Sequence, residues 1–179
     1  QSIGTTRCTG QSTTFDVTAN GSYPLSYQWY KNPNIIAGAT NNFLTLSSTI
    51  PNDSGNYYCI VSNSCGTVQS SNIHLSINSP LSIYKQSRDT TKCVGEGSLF
   101  QVMATGTQPI SYQWYFNDSY IPGADSNVFY IKSVNLGNTG NYYCELTNAC
   151  GSLMGAYKEL TVRPLPIIHL GNDTTFCLG

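Results

Sequence analysis

Seven cysteines are the residues of this 179-residue chain best suited to covalent chemistry, and their spacing is regular. Cys8 and Cys93 lie 85 positions apart, as do Cys59 and Cys144, and Cys65 and Cys150, while Cys177 stands near the end. Three, three and one is the count expected of two full copies of a repeat and the beginning of another. Thiols of this kind can bind a metal, attack a substrate or pair as disulfides. Metal binding lacks helpers: only His74 and His169 are available as imidazole ligands, and no C-x-x-C step occurs. Catalysis needs a nucleophile or paired carboxylates beside a tuned base. Asp16, Asp53, Asp118 and Asp125 are scattered instead, and His74 alternates with Ile73 and Leu75 as an outward, solvated residue would. The expectation is a non-enzymatic chain with no metal and no cofactor. Disulfide chemistry remains, and it implies an oxidising, extracellular or cell-surface setting.

The elements that must position these cysteines repeat with them. Ser-Tyr-Gln-Trp-Tyr occurs at 26–30 and at 111–115, and Gly-Asn-Tyr-Tyr-Cys at 55–59 and 140–144. Asp89-Thr90-Thr91 before Cys93 is echoed by Asp173-Thr174-Thr175 before Cys177. Phe15, Val17 and Ala19 alternate with polar residues, as do Phe100, Val102 and Ala104, and Leu44 with Leu46. Tyr27 and Trp29 share one face of a strand while Gln28 and Tyr30 share the other. This period of two, broken by Gly, Asn and Pro, predicts short strands in an all-β sandwich and no amphipathic helix. Asn78-Ser79-Pro80 and Arg163-Pro164-Leu165-Pro166 mark stiff joints. The division expected is a first domain over 1–78, a second over 79–163, and a linker with the start of a third repeat over 164–179.

Composition narrows the partners. Charged residues make up only 9% of the chain and the net charge is −1, so the clustered positive charge that would hold nucleic acid is missing. Asn, Ser and Thr number 17, 21 and 19, and these neutral side chains carry the solubility instead. No apolar run is long enough to span a membrane, and no signal peptide opens the chain, so it reads as mature or internal. Thirteen tyrosines and 40% hydrophobic residues argue for a packed core. Asn20, Asn52, Asn117 and Asn172 each begin an N-x-S/T sequon.

At Trp29 and Cys59, thirty residues apart, and at Asp53-Ser54-Gly55-Asn56-Tyr57-Tyr58-Cys59, the chain resembles the immunoglobulin superfamily. The resemblance casts Trp29 and Trp114 as core tryptophans and Tyr57 and Tyr142 as tyrosine-corner residues bonding the backbone upstream. Asn138 replaces the corner aspartate in the second copy. The usual strand-B cysteine is missing, since Val17 and Val102 stand there. This layout also looks like tandem immunoglobulin-like repeats of large secreted adhesins of Bacteroidota-type bacteria, exported by a type IX system. That resemblance implies a non-catalytic adhesive stalk, with Thr90 and Thr174 as O-glycosylation candidates. Two other functions stay open: a eukaryotic-type receptor or adhesion ectodomain binding a protein, and a spacer module of a secreted hydrolase. Expected partners are neighbouring repeats of the chain, with glycans or another surface protein as candidates. Tyr30, Tyr58, Tyr115 and Tyr143 should face outward, either as partner contacts or as cross-strand pairs. Strand topology of the family favours the disulfides Cys8–Cys59 and Cys93–Cys144, leaving Cys65, Cys150 and Cys177. Exposure of the turn cysteines argues for bonding them instead, within a domain or from Cys8 to the F–G turn of the next one.

Overall fold

A computed structural model describes residues 4–168; His169, Thr174 and Cys177, and most of the expected third-repeat start, lie outside the described residues. Among the described residues the regular elements are seventeen strands and two single turns of 3-10 helix. The first repeat supplies β1 (Thr5–Cys8), β2 (Thr13–Asp16), β3 (Ser26–Lys31), β4 (Asn34–Ile35), β5 (Phe43–Leu46), β6 (Gly55–Asn63), β7 (Gly66–Gln69) and β8 (Ile73–Asn78). Its main sheet runs β1-β8-β6-β3-β4, with β7 also on β6, and β2 and β5 form a facing pair. Six of the nine residues of β6 pair with β3, placing Cys59 opposite Trp29 and Tyr58 opposite Tyr30. Because side chains alternate across a strand, this register sends Trp29 and Cys59 inward together. Both are 0% exposed. Phe15 on β2 meets Trp29 at 6.3 Å and Tyr57 at 5.1 Å between ring centroids, so the core sits between the two sheets.

The second repeat supplies β9 (Ser82–Gln86), β10 (Thr90–Cys93), β11 (Ser98–Thr105), β12 (Ser111–Phe116), β13 (Ser119–Tyr120), β14 (Val128–Ile131), β15 (Gly140–Asn148), β16 (Gly151–Met154) and β17 (Lys158–Arg163). Its sheets run β10-β17-β15-β12-β13, with β16 on β15, and β14-β11-β9. Phe100 packs on Trp114 at 6.0 Å and on Tyr142 at 4.4 Å, the same aromatic cluster translated by one repeat. The hairpin joining β12 to β13 turns on Asn117 and Asp118, both at positive φ. That is the geometry a two-residue loop needs to match strand twist, and Asn and Asp tolerate it.

One strand is shorter than its pattern predicts. β2 ends at Asp16, so Val17 and Ala19 continue as irregular chain packed on the core. Its counterpart β11 runs on to Thr105 because β9 pairs along its other edge. Compact units do not follow the repeats strictly. Among the described residues, one holds 4–84 together with 104–111 and 146–153; the other holds 85–103, 112–145 and 154–168.

Candidate functional site

The tyrosine corners come first because they hold the ends of β6 and β15. Tyr57 Oη donates to the Asp53 carbonyl at 2.7 Å, and Tyr142 Oη to the Asn138 carbonyl at 3.0 Å. Asp53 Oδ2 in turn accepts from the Ile50 amide at 2.8 Å; Asn138 Oδ1 accepts from the Asn135 amide at the same distance. The Asp-to-Asn exchange therefore keeps the turn, since a carboxylate and an amide oxygen both accept. Burial, with the Asp53 charge adding to it, pushes the Tyr57 hydroxyl up to about 12.

Cysteine placement differs from the pairing that family topology favours. The structure bonds Cys8 to Cys150, with Cα atoms 5.7 Å apart and both residues inside the first compact unit. Cys59, Cys65, Cys93 and Cys144 are free among the described residues. Neither Cys8–Cys59 nor Cys93–Cys144 forms, and register explains it. β1 pairs with β8 in parallel, which sets Cys8 against Asn78 at the far end of β8. β8 meets β6 with Leu75 against Gly55, so Cys59 lies four residues one way from that pair and Cys8 three the other. At about 3.4 Å per residue the two sulfurs' strands are offset by on the order of 20 Å, far beyond the ~7 Å a disulfide spans. β10 meets β17 in the same way, with Cys93 against Arg163 and Leu160 against Gly140. The sandwich cores are thus closed by packing around a reduced thiol. Burial raises the Cys59 thiol above its ordinary value and takes Cys144 up to about 11, so both stay protonated at neutral pH.

The bonded cysteines sit in built turns. The Cys150 amide donates to Asn148 Oδ1 at 2.8 Å, and Asn148 Nδ2 donates to the carbonyls of Ser79 and Thr107 at 3.1 and 3.2 Å. Thr107 and Ser79 close a reciprocal pair: the Thr107 amide donates to Ser79 O at 3.0 Å, and the Ser79 amide to Thr107 Oγ1 at 2.7 Å. A Cβ at Gly106 would stand 3.1 Å from the Pro80 carbonyl, so glycine is needed for that approach. At the other end, the Cys8 amide donates to Gln11 Oε1 at 2.8 Å, and Thr49 Oγ1 donates to the Cys8 carbonyl at 3.2 Å.

Tyrosines form the other distinctive surface. Tyr30 stacks on Tyr58 with centroids 4.9 Å apart and ring planes 2° from parallel; Tyr115 and Tyr143 repeat this at 4.8 Å and 2°. All four are half-buried, because each ring shields its cross-strand neighbour. Tyr157 joins the second pair edge-on and donates to Asp118 Oδ1 at 2.8 Å, while Tyr115 donates to Glu145 Oε2 at 3.2 Å. Hydrogen bonding to the carboxylate, then burial, raises the Tyr157 hydroxyl. His74 is exposed, its Nδ1 sharing a hydrogen bond of 2.8 Å with Asn56 Oδ1. Thr90 opens β10 half-buried against Leu160. Among the described residues no three His, Cys, Asp or Glu side chains gather as metal ligands, and no helix is long and apolar enough to cross a membrane. What strand patterning missed was the pull of the joint: Asn148, Gly106 and Ser79 act together there, and only the Asn-x-Cys-Gly step hinted at it.

Comparison with known proteins gives the family. Residues 1–63 and residues 75–162 each match the description "Immunoglobulin domain". Neuroglian of Drosophila melanogaster is 32% identical over 141 residues, covering 74% of this chain and 10% of that protein. The Xenopus laevis protein "Cell adhesion molecule-related/down-regulated by oncogenes" is 26% identical over 208 residues, covering 93% of this chain and 16% of its own length. The chain thus spans only a small part of these relatives. Among solved structures, the titin I-band fragment I67-I69 superposes with a TM-score of 0.76 at 22% identity, over 90% of this chain and 63% of that one, a likeness of fold. These relatives are animal proteins, and they lend no support to an origin in Bacteroidota-type bacteria. By matched domains, sheet order and aromatic core alike, the chain belongs to the immunoglobulin family, as two tandem all-β domains.

Proposed function

We propose that the chain is a non-catalytic part of an extracellular cell-adhesion ectodomain and engages a protein partner. The observation that carries this reading is the similarity, over 93% of the chain, to a protein named as cell adhesion molecule-related. Several features support it. Both domain matches are immunoglobulin domains, with no catalytic family between them. The stacked tyrosines give each domain a flat, partly exposed aromatic surface of the kind enriched at protein interfaces. The observed disulfide fits an oxidising location outside the cell. The stalk reading of type IX-exported adhesins and the hydrolase-spacer reading have no comparable support. Binding of the labelled chain to intact cells of its source tests the proposal. Saturable binding that is lost after protease treatment of the cells, survives deglycosylation and weakens in a Tyr115→Ser/Tyr143→Ser variant of unchanged fold is the expected result. Absence of saturable binding, or binding that disappears on deglycosylation alone, overturns it.

A further inference from the structure

The bond between Cys8 and Cys150 joins the early cysteine of one repeat to the turn cysteine of the next in sequence. Translated by one repeat, it leaves two half-sites: Cys65, counterpart of Cys150, and Cys93, counterpart of Cys8. Both are exposed, and free among the described residues. Their surroundings reproduce three hydrogen bonds of the bonded pair. The Cys65 amide donates to Asn63 Oδ1 at 2.9 Å, as Cys150 does to Asn148. Asn63 Nδ2 donates to the Ser22 carbonyl at 3.0 Å, as Asn148 does to Thr107. The Cys93 amide donates to Glu96 Oε2 at 2.6 Å, as Cys8 does to Gln11. Gly21 occupies the position of Gly106, and Ser22 keeps the hydroxyl of Thr107.

The two half-sites differ in what they touch. Asn148 uses its amide group on a second acceptor, Ser79 O in the joint, and Thr107 accepts from the Ser79 amide. Asn63 and Ser22 make no corresponding bonds among the described residues. Beside them lies an open concavity of about 270 Å³, with Ala19, Leu25, Val61, Cys65 and Val68 in its lining. Its translated counterpart falls in the segments 104–111 and 146–153, which belong to the same compact unit as Ser79 and Pro80. Val68 is 64% exposed, a large apolar side chain left in water beside that concavity.

We propose that Gly21, Ser22, Asn63 and Cys65 form a docking half-site for the proline joint of another repeat of this pattern, and that Cys65 bonds that repeat's early cysteine. Cys93 makes the matching bond to the turn cysteine of a repeat on its other side. The result is a disulfide at every junction of an array, each domain giving one thiol forward and one back while its core cysteine stays reduced. That accounts for three cysteines per domain. Each bond forms as two thiols lose their protons and pass two electrons to a disulfide oxidant, which is reduced to two thiols. The inference stands apart from the adhesive reading, since it concerns repeat-to-repeat coupling alone.

The 179-residue chain carrying Cys177→Ser supplies both halves, so copies should couple head to tail. Incubation in an oxidised/reduced glutathione buffer, followed by non-reducing electrophoresis and peptide mapping, reads the outcome. A ladder of linear oligomers is expected, with the Cys65–Cys93 peptide in about tenfold excess over either homopeptide, a bias worth roughly 1.4 kcal/mol in docking. Cys65→Ser in the same background should collapse the ladder. A Gly21→Val variant of unchanged melting temperature, which fills the half-site and spares both thiols, should remove the excess. Monomer alone, or Cys65–Cys65 and Cys93–Cys93 peptides in amounts comparable to the mixed one, overturns the proposal.

Discussion

A single hydroxyl anchors the long central strand of each domain. Tyr57 is 1% exposed, and its hydroxyl spends its proton on the Asp53 carbonyl. Ionisation would bury a charge, and beside the Asp53 carboxylate, which is why its value rises to about 12. A folded value above the unfolded one, near 10, means the stabilisation is complete below pH ~10 and is lost as pH rises through 12. Stability should therefore fall between about pH 10 and 12, with a contribution from this residue of up to roughly 2–3 kcal/mol. Tyr57→Phe should lower stability by about 1 kcal/mol at neutral pH and flatten that part of the decline. Urea unfolding of both proteins across pH 8–11.5 checks it; parallel curves would show that Tyr57 is not the titrating group. The corner was legible at this scale through the family resemblance carried by Gly-Asn-Tyr-Tyr-Cys, which implies the backbone bond that Tyr57 makes.

Strand pairing converts those residues into surfaces. The β3–β6 register stacks Tyr30 on Tyr58 on one side of the sheet and Trp29 beside Cys59 on the other. A double-mutant cycle with Tyr30→Ser and Tyr58→Ser should give a coupling energy of about 0.5–1.5 kcal/mol, as expected for stacked aromatic pairs. Additive effects in thermal melts would mean that the stack contributes nothing beyond burial. Alternation of Tyr27, Gln28, Trp29 and Tyr30 was enough to assign these faces from the sequence. It was not enough to place Cys8. Whether β1 pairs in parallel with β8 or otherwise depends on contacts between segments some seventy residues apart, and no local period encodes them. For the same reason the end of β2 could not be read: Val17 continues the alternation, yet β11 is prolonged only by β9 beside it.

At the scale of the whole molecule, the bonded pair Cys8–Cys150 lies within the first compact unit and the cores do without a disulfide among the described residues. Where many immunoglobulin domains join their two sheets by a disulfide, this chain has Val17 and Val102 in place of the strand-B cysteine, and Cys59 and Cys144 are free among the described residues. Aromatic packing of Phe15, Trp29 and Tyr57, and of Phe100, Trp114 and Tyr142, takes over that task. The bond from Cys8 to Cys150 closes a separation of 142 residues, a constraint on the unfolded chain worth about 5 kcal/mol by loop-closure entropy. Proteolysis of the non-reduced, alkylated protein followed by mass spectrometry tests this account most directly. The peptide containing Cys8 should be recovered joined to the one containing Cys150, with Cys59 and Cys144 alkylated only after unfolding. Recovery of Cys8 joined to Cys59, or of Cys93 joined to Cys144, would contradict it.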